Sequence, residues 1–414
     1  RAAPPFFQYP CDTQVIFREN MIMFYQQKAS VWESFTKVIM GVNCVAELPT
    51  QIRLRDPKAI VIVTDPGVSS TAFYAKCVEY IASAGIPYEI FDKVEAEAPL
   101  RNVNEVCEII KRTGAELVVA IGGGSAIDVT KLATVLATNG GKGTDWAGYD
   151  KYPLPGVPFF TVPTTAGTSA EVTSMAVIHD EETNVKFTVG HAAYGSAKIT
   201  FLDGSCLASC PAKVIGVCGI DALSHSFESF ISLKANPMTE ATSLQGIRLI
   251  SRNLRAVYGN SENVFAAQDL LIGSTMGGMA FTSTGCGHMH NIGRFVGPKF
   301  HVNHGTSIAL VMPSVARFNF PAQMEKYRQI AAAMGEDVSR VPDREVGEVV
   351  VGALRSLISD VGIHVSLKDM NPTRKDFEEI ADDAMAAYKA HYHLKNPRKT
   401  TRENFIEILE DCCR

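Results

Sequence analysis

The stretch VVAIGGGSAIDVTK, Val118–Lys131, reads as a buried strand, a glycine-rich turn and the start of a helix. At Gly122, Gly123 and Gly124 the backbone can approach a ligand with no Cβ in the way. The helix N-terminus that follows offers free N–H groups and a positive dipole end to a diphosphate. The same residues also suit a plain strand-to-helix turn with Ser125 as N-cap. They do not form the spaced G-x-G-x-x-G pattern.

Outward from this turn, the first half alternates apolar runs with amphipathic segments. AIVIVTDPG (Ala59–Gly67) reads as a strand ending in a turn, STAFYAKCVEYIASAG (Ser70–Gly85) as a helix, and PYEIFD as a strand. NVNEVCEIIKRTG (Asn102–Gly114) is then a helix and AELVVAI (Ala115–Ile121) another strand. This is the rhythm of a parallel sheet with crossover helices. Further short strands are expected at Phe159–Val162, Met175–His179, Val185–Val189 and Ile199–Leu202. From Pro211 onward the pattern has a 3.6-residue period, as in Thr239–Gly259 and Arg344–Gly362, with almost no strand signal. The expected organisation is an α/β half with a parallel sheet over residues 1–210 and an all-helical half over residues 211–414. The first thirty-five residues carry no assignable pattern.

Composition narrows the function. The chain has 414 residues, 46% hydrophobic and 20% charged, enough for two domains with substantial cores. Lys+Arg 39 against Asp+Glu 44 gives a net charge of −5, so there is no basic field for nucleic acid or an anionic membrane, and a small-molecule partner is expected. The ten cysteines are scattered from Cys11 to Cys413 with no C-x-x-C pair, which suits a reducing compartment and hence the cytoplasm. No apolar run approaches the roughly 18 residues of a membrane span, and the first thirty residues lack a signal-peptide core.

Four further features carry chemistry. Asp65, at the end of the first clear strand, can accept hydrogen bonds from an adenosine ribose and would repel a 2′-phosphate, though an Asp-Pro-Gly turn suits it equally. VPTTAGTSAEVT (Val162–Thr173) clusters hydroxyl residues that can hold a ribose and a carboxamide, or simply form turns. GIDALSHSFESF (Gly219–Phe230) puts Asp221 and His225 four apart on one helical face, as a structural hydrogen bond or as a ligand pair. GCGHMHNIGRFVGPKFHVNHG (Gly285–Gly305) supplies two more candidate ligands, His290 and His304. One carboxylate and three imidazoles, with a position left open for substrate oxygen, suit divalent iron or zinc.

These motifs in this order resemble the iron-dependent (family III) alcohol dehydrogenases from about Phe35 to the C-terminus. The phosphate signature G-G-G-S-x-x-D-x-x-K stands as Gly122, Gly123, Gly124, Ser125, Asp128 and Lys131. The P-T-T-x-G-T loop, Pro163–Thr168, includes Thr164, Thr165 and Thr168, with Glu171 and Thr173 following. Lys186 matches the lysine that reaches the nicotinamide ribose. D-A-L-x-H stands as Asp221 and His225, and His290 and His304 follow at the family's intervals. The resemblance implies an N-terminal NAD-binding α/β domain, an all-helical metal-binding domain, NAD(H) with Fe2+ (or Zn2+) as cofactors, and a homo-oligomer, dimer or larger. It implies reversible oxidation of a small primary alcohol to an aldehyde, with hydride passing directly to nicotinamide. Glycerol dehydrogenases and dehydroquinate synthases share the cofactor domain and are the alternative reading.

The departures from the family pattern are specific. Arg294 stands where typical members have a second histidine, four residues after the third ligand, which removes the usual proton relay. G-T-G-S-E becomes Gly167-Thr168-Ser169-Ala170-Glu171, and Pro-Asn-Pro becomes Glu97-Ala98-Pro99. KFHVNHG (Lys299–Gly305) is similar to the K-Y-H-V-P-H-G of 4-hydroxybutyrate dehydrogenases. Arg294, one helical turn from His290, is therefore a candidate for binding an anionic group on the substrate, or else for pairing with an acidic side chain. His288 and His301 are expected either to support the ligands from behind or to be merely structural.

Overall fold

A computed structural model describes residues 30–414. Six parallel strands form the main sheet in the order β1-β9-β6-β4-β2-β3, namely β1 (Lys37–Met40), β2 (Ile60–Val63), β3 (Tyr88–Phe91), β4 (Leu117–Gly122), β6 (Phe159–Pro163) and β9 (Ile199–Leu202). The central strands β2, β4 and β6 are apolar on both faces and wholly buried. Their alternate side chains feed two cores. Val61, Val63 and Val118 pack on one side, and Ile60, Ile62, Leu117 and Val119 on the other. The chain runs from β2 out to β3 and then back across to β4 on the other side of β2. That reversal opens a crevice beyond the carboxyl ends of β2 and β4, the ordinary ligand position in such sheets.

Three strands leave the expected parallel series. β7 (Met175–Asp180) and β8 (Val185–Gly190) form an antiparallel hairpin, joined by β5 (Gly148–Tyr149) in a separate sheet. Their connection is too short for a crossover. Asp180 ties it by accepting from the Glu182 amide at 3.1 Å and the Thr183 hydroxyl at 2.8 Å. β1, with no buried residue among its four, and the helix Leu48–Arg55 fall outside the elements expected from the sequence.

Beyond Leu202 the described residues contain no strand. The long helices are Ala212–Ile231, Pro237–Gly259, Val264–Thr284, His288–Phe300, His304–Asn319, Val346–Asp360 and Arg374–Ala390. Asn236, Asn263 and Asn303 cap three of them with side-chain oxygens. Helix Ala212–Ile231 is the axis of this half. It is long and apolar enough to cross a membrane by composition, but 83% of that window is buried inside the fold.

The sheet joins the helices just after β9. Gln268 accepts from the Gly204 amide at 2.8 Å and donates to the Leu202 carbonyl at 2.8 Å. A Cβ on Gly204 would meet the Gln268 amide nitrogen and sit 2.6 Å from the Val264 carbonyl oxygen, both rigid helix backbone. Gly204→Ala is therefore expected to destabilise the fold by about 1–3 kcal/mol through overpacking, read as a lower midpoint in chemical denaturation.

Candidate active site

Helix Ala212–Ile231 presents Asp221, His225 and Glu228 on one face, at i, i+4 and i+7. His290 comes from the first turn of helix His288–Phe300, and His304 opens helix His304–Asn319. Gly305 allows the last approach, because a Cβ there would lie 2.5 Å from the Val217 carbonyl oxygen. The donor atoms converge. Asp221 Oδ1 lies 3.4 Å from His304 Nε2, 3.5 Å from His290 Nε2 and 3.9 Å from His225 Nε2. The His225 ring stacks on His290 at 4.6 Å and on Phe281 at 4.4 Å.

Asp221 Oδ1, His225 Nδ1 and His290 Nε2 are buried without a hydrogen-bond partner. Buried polar atoms are ordinarily paired, so an orphaned cluster of a carboxylate and imidazoles fits a cation in its midst. Electrostatics agree. Burial pushes the His225 pKa down to about 3, leaving the ring neutral with a lone pair to donate. Burial alone would raise the Asp221 carboxyl, but the surrounding imidazoles hold it well below the usual carboxylate range.

Glu228 orients this set and was not picked out from the sequence. Its Oε2 accepts from His290 Nδ1 at 2.7 Å, and its Oε1 accepts from the Met289 amide at 2.5 Å. It thereby fixes the His290 tautomer and caps the N-terminus of helix His288–Phe300 in place of a local side chain. The available signal was its spacing from Asp221 and His225. His288 is structural, bonding Thr400 at 2.7 Å and packing on Phe405, while His301 is an exposed left-handed C-cap.

The glycine-rich turn and the hydroxyl loop meet at the crevice. A Cβ on Gly123 would lie 3.2 Å from Thr165 Oγ1, and one on Gly124 would lie 2.9 Å from Thr168 Oγ1. Gly123, rather than Ser125, is the N-cap of helix Gly124–Asn139, and no side chain caps it, so its first amides face the crevice. Ser125 instead accepts from the Glu97 amide at 3.1 Å, and Glu97 pairs with Lys186 at 2.8 Å, placing that lysine at the same rim. Asp65 uses Oδ1 as N-cap for the Gly67 and Val68 amides at 3.0 Å, while its Oδ2 lies near Gly122. Asp128, Thr164 and Thr173 are engaged internally. Asp128 accepts from Val177, the Thr164 amide donates to Gly122, and Thr173 accepts from Lys131.

The hydroxyl loop also reaches the metal-type cluster, since the His225 ring lies beside the Gly167 carbonyl. Cys286 lies within 4.8 Å of the His290 donor atom, Lys395 reaches the turn at Gly285 beside it, and Arg294 follows one helical turn after His290. Lys395 Nζ lies 5.1 Å from the Tyr392 ring centre, and Arg294 is exposed over Phe295. Neither cation forms an ion pair among the described residues, so the acidic partner envisaged for Arg294 does not occur there. Nothing in the sequence marked Lys395.

Residues 36–203 match the family model described as iron-containing alcohol dehydrogenase, and residues 216–413 match the C-terminal model of the Fe-containing alcohol dehydrogenase family. The chain belongs to the iron-containing alcohol dehydrogenase family. A 1,3-propanediol dehydrogenase of Klebsiella pneumoniae is 32% identical over 371 residues, 89% of this chain and 95% of that protein. A sulfoacetaldehyde reductase of Bilophila wadsworthia is 31% identical over 387 residues, 92% of this chain and 98% of that protein. A solved structure of a 1,3-propanediol oxidoreductase has a TM-score of 0.88 and 31% identity, covering 93% of this chain and 100% of that one. The enzyme is an oxidoreductase of small alcohols and aldehydes, with NAD(H) and Fe2+ as its cofactors.

If Glu228 orients His290, Glu228→Gln should weaken metal binding by about 10–100-fold with the fold retained. Metal content after dialysis against graded chelator, beside a far-UV circular dichroism spectrum, measures both.

Proposed function

We propose that Asp221, His225, His290 and His304 hold Fe2+ while NAD(H) lies along the crevice formed by Asp65, Gly123, Gly124, Ser125, Thr165 and Thr168, with Lys186 at its rim. On this reading residues up to 210 bind the cofactor and residues 211–414 bind the metal. The convergence of four donor groups with orphaned buried atoms carries the reading. Fe2+ there supplies a Lewis acid for the substrate oxygen. The protein's own part is positional. Glu228 fixes His290, and the loop through Gly167 brings the crevice beside His225, where a bound NAD(H) would supply or accept hydride next to the substrate carbon. Asp65, half-buried beside Gly122, disfavours a 2′-phosphate and so favours NAD(H) over NADP(H).

The substrate on this reading is a small primary alcohol or its aldehyde carrying an anionic group. Arg294, one helical turn from His290, and Lys395 form no ion pair among the described residues, and one relative is named for sulfoacetaldehyde. The planar guanidinium fork of Arg294 suits a carboxylate, sulfonate or phosphonate, where the family pattern has a histidine. The exposed edge strand β1, with Met40 at 55% exposure, supports assembly as a homo-oligomer. The nine described cysteines are all free, which supports a reducing, cytoplasmic setting.

His290→Ala and His304→Ala are expected to lose metal and activity together while still binding NADH, measured by elemental analysis, turnover and cofactor fluorescence on one preparation. Full turnover in a metal-depleted variant would overturn the ligand assignment. Arg294→Ala should cost about 2 kcal/mol or more, roughly thirtyfold in kcat/KM, with an anionic aldehyde such as succinic semialdehyde, and little with butyraldehyde. Equal losses on both would show that Arg294 supports the fold rather than reading substrate charge.

A further inference from the structure

We propose that Cys286 is an alternative metal ligand, giving the pocket a second binding mode in which a thiophilic divalent ion is held by His225, His290 and Cys286. The inference rests on the assignment of the two histidines as metal-facing and adds a residue outside that donor set. Two triads of donor atoms occur here, each with its members within 4.8 Å of one another: Asp221, His290 and His304, and His225, Cys286 and His290. They share His290, whose Nε2 is buried and unpartnered, and the second includes His225, whose Nδ1 is likewise unpartnered.

The thiol is held in place by its neighbours. Gly285 terminates helix Val264–Thr284 with φ 67°, and a Cβ there would lie 2.7 Å from Lys395 Cε. Gly287 precedes helix His288–Phe300, and a Cβ there would lie 2.9 Å from Glu228 Oε1. Cys286 is thus carried on a two-glycine bridge between helix ends, one side pinned by Lys395 and the other by the carboxylate that orients His290. The side chain itself is half-buried.

Ligand chemistry separates the two modes. A carboxylate with imidazoles suits Fe2+, whereas a thiolate with two imidazoles suits Zn2+ or Co2+ in a tetrahedral site with one position open. As the sulfur–metal bond forms, the thiol proton leaves to solvent and no oxidation state changes. Zn2+ in this mode sits on the Cys286 side and releases Asp221 and His304, so it competes with Fe2+ for the shared histidines and yields a less active enzyme.

Co2+ is the direct probe. Full-length protein stripped by chelator and titrated with CoCl2 should develop a thiolate-to-cobalt charge-transfer band in the near ultraviolet. That band should be absent in Cys286→Ser and present in His304→Ala. Zn2+ affinity by chelator competition should fall about 10–100-fold in Cys286→Ser, while Fe2+ affinity stays within twofold of the wild type. A wild type with no band, a band that survives Cys286→Ser, or equal Zn2+ affinities would overturn the proposal. His290→Ala separates this from the underlying assignment: if that variant still binds both metals at wild-type strength, the histidine site itself is misassigned, whereas failure confined to the cysteine measurements leaves the iron site standing. A thermal melt of Cys286→Ser, expected to match the wild type, excludes loss of fold as the cause.

Discussion

Asp221, His225 and His290 are pressed into one buried space, with His304 at its exposed edge, and there Oδ1 of the carboxylate and two ring nitrogens are without a hydrogen-bond partner. Burying such groups is unfavourable without a partner. The helical half is built to impose this. Its axial helix is buried along nearly its whole apolar length. Gly305 lets the helix bearing His304 touch that axis at Val217, and Gly287 lets Glu228 reach the amide of Met289. Each glycine stands where a single methyl group would push a donor out of place.

The α/β half works by a different economy of groups. The residues that face the crevice also hold the crevice together. Asp65 spends one oxygen capping the turn after β2 and keeps the other near Gly122. Ser125 fixes the Glu97 amide, and Glu97 fixes Lys186. Lys131, buried, bonds Thr173 at 3.0 Å and the Met175 carbonyl at 2.6 Å, tying the phosphate-type helix to β7. Polar groups already ordered by one another lose little freedom when a ligand arrives, which favours tight and well-oriented binding.

The strands that build the sheet were legible because β2, β4 and β6 are short apolar runs bounded by turns, and the helical half because its period is sustained over many turns. The hairpin β7–β8 was seen as two strands but not as antiparallel, since direction depends on a connection whose geometry Asp180 sets locally. Among site residues, those inside fixed-spacing motifs could be named, whereas Glu228 was hidden in a helix whose other letters drew the attention. Lys395 and Cys286 come from segments far apart in sequence, 109 positions between them, and only the folded chain brings them to one turn.

Ser169 shows how a lost motif letter can be repaid across the seam between the halves. The family pattern has glycine here, and the backbone keeps the left-handed conformation that favours glycine, at φ 55°. A Cβ in that region costs about 1–2 kcal/mol. The serine hydroxyl donates to the Ser274 carbonyl at 2.8 Å, and its Cβ occupies the space that a side chain at Gly278 would need. A glycine is therefore required at Gly278 on the helix facing the loop. Glu171, two residues on, accepts from Thr275 at 2.7 Å on the same helix. The loop is therefore anchored to the helical half on both sides of Ala170. That anchoring keeps the Gly167 carbonyl beside His225, and so keeps the crevice and the histidine cluster in register.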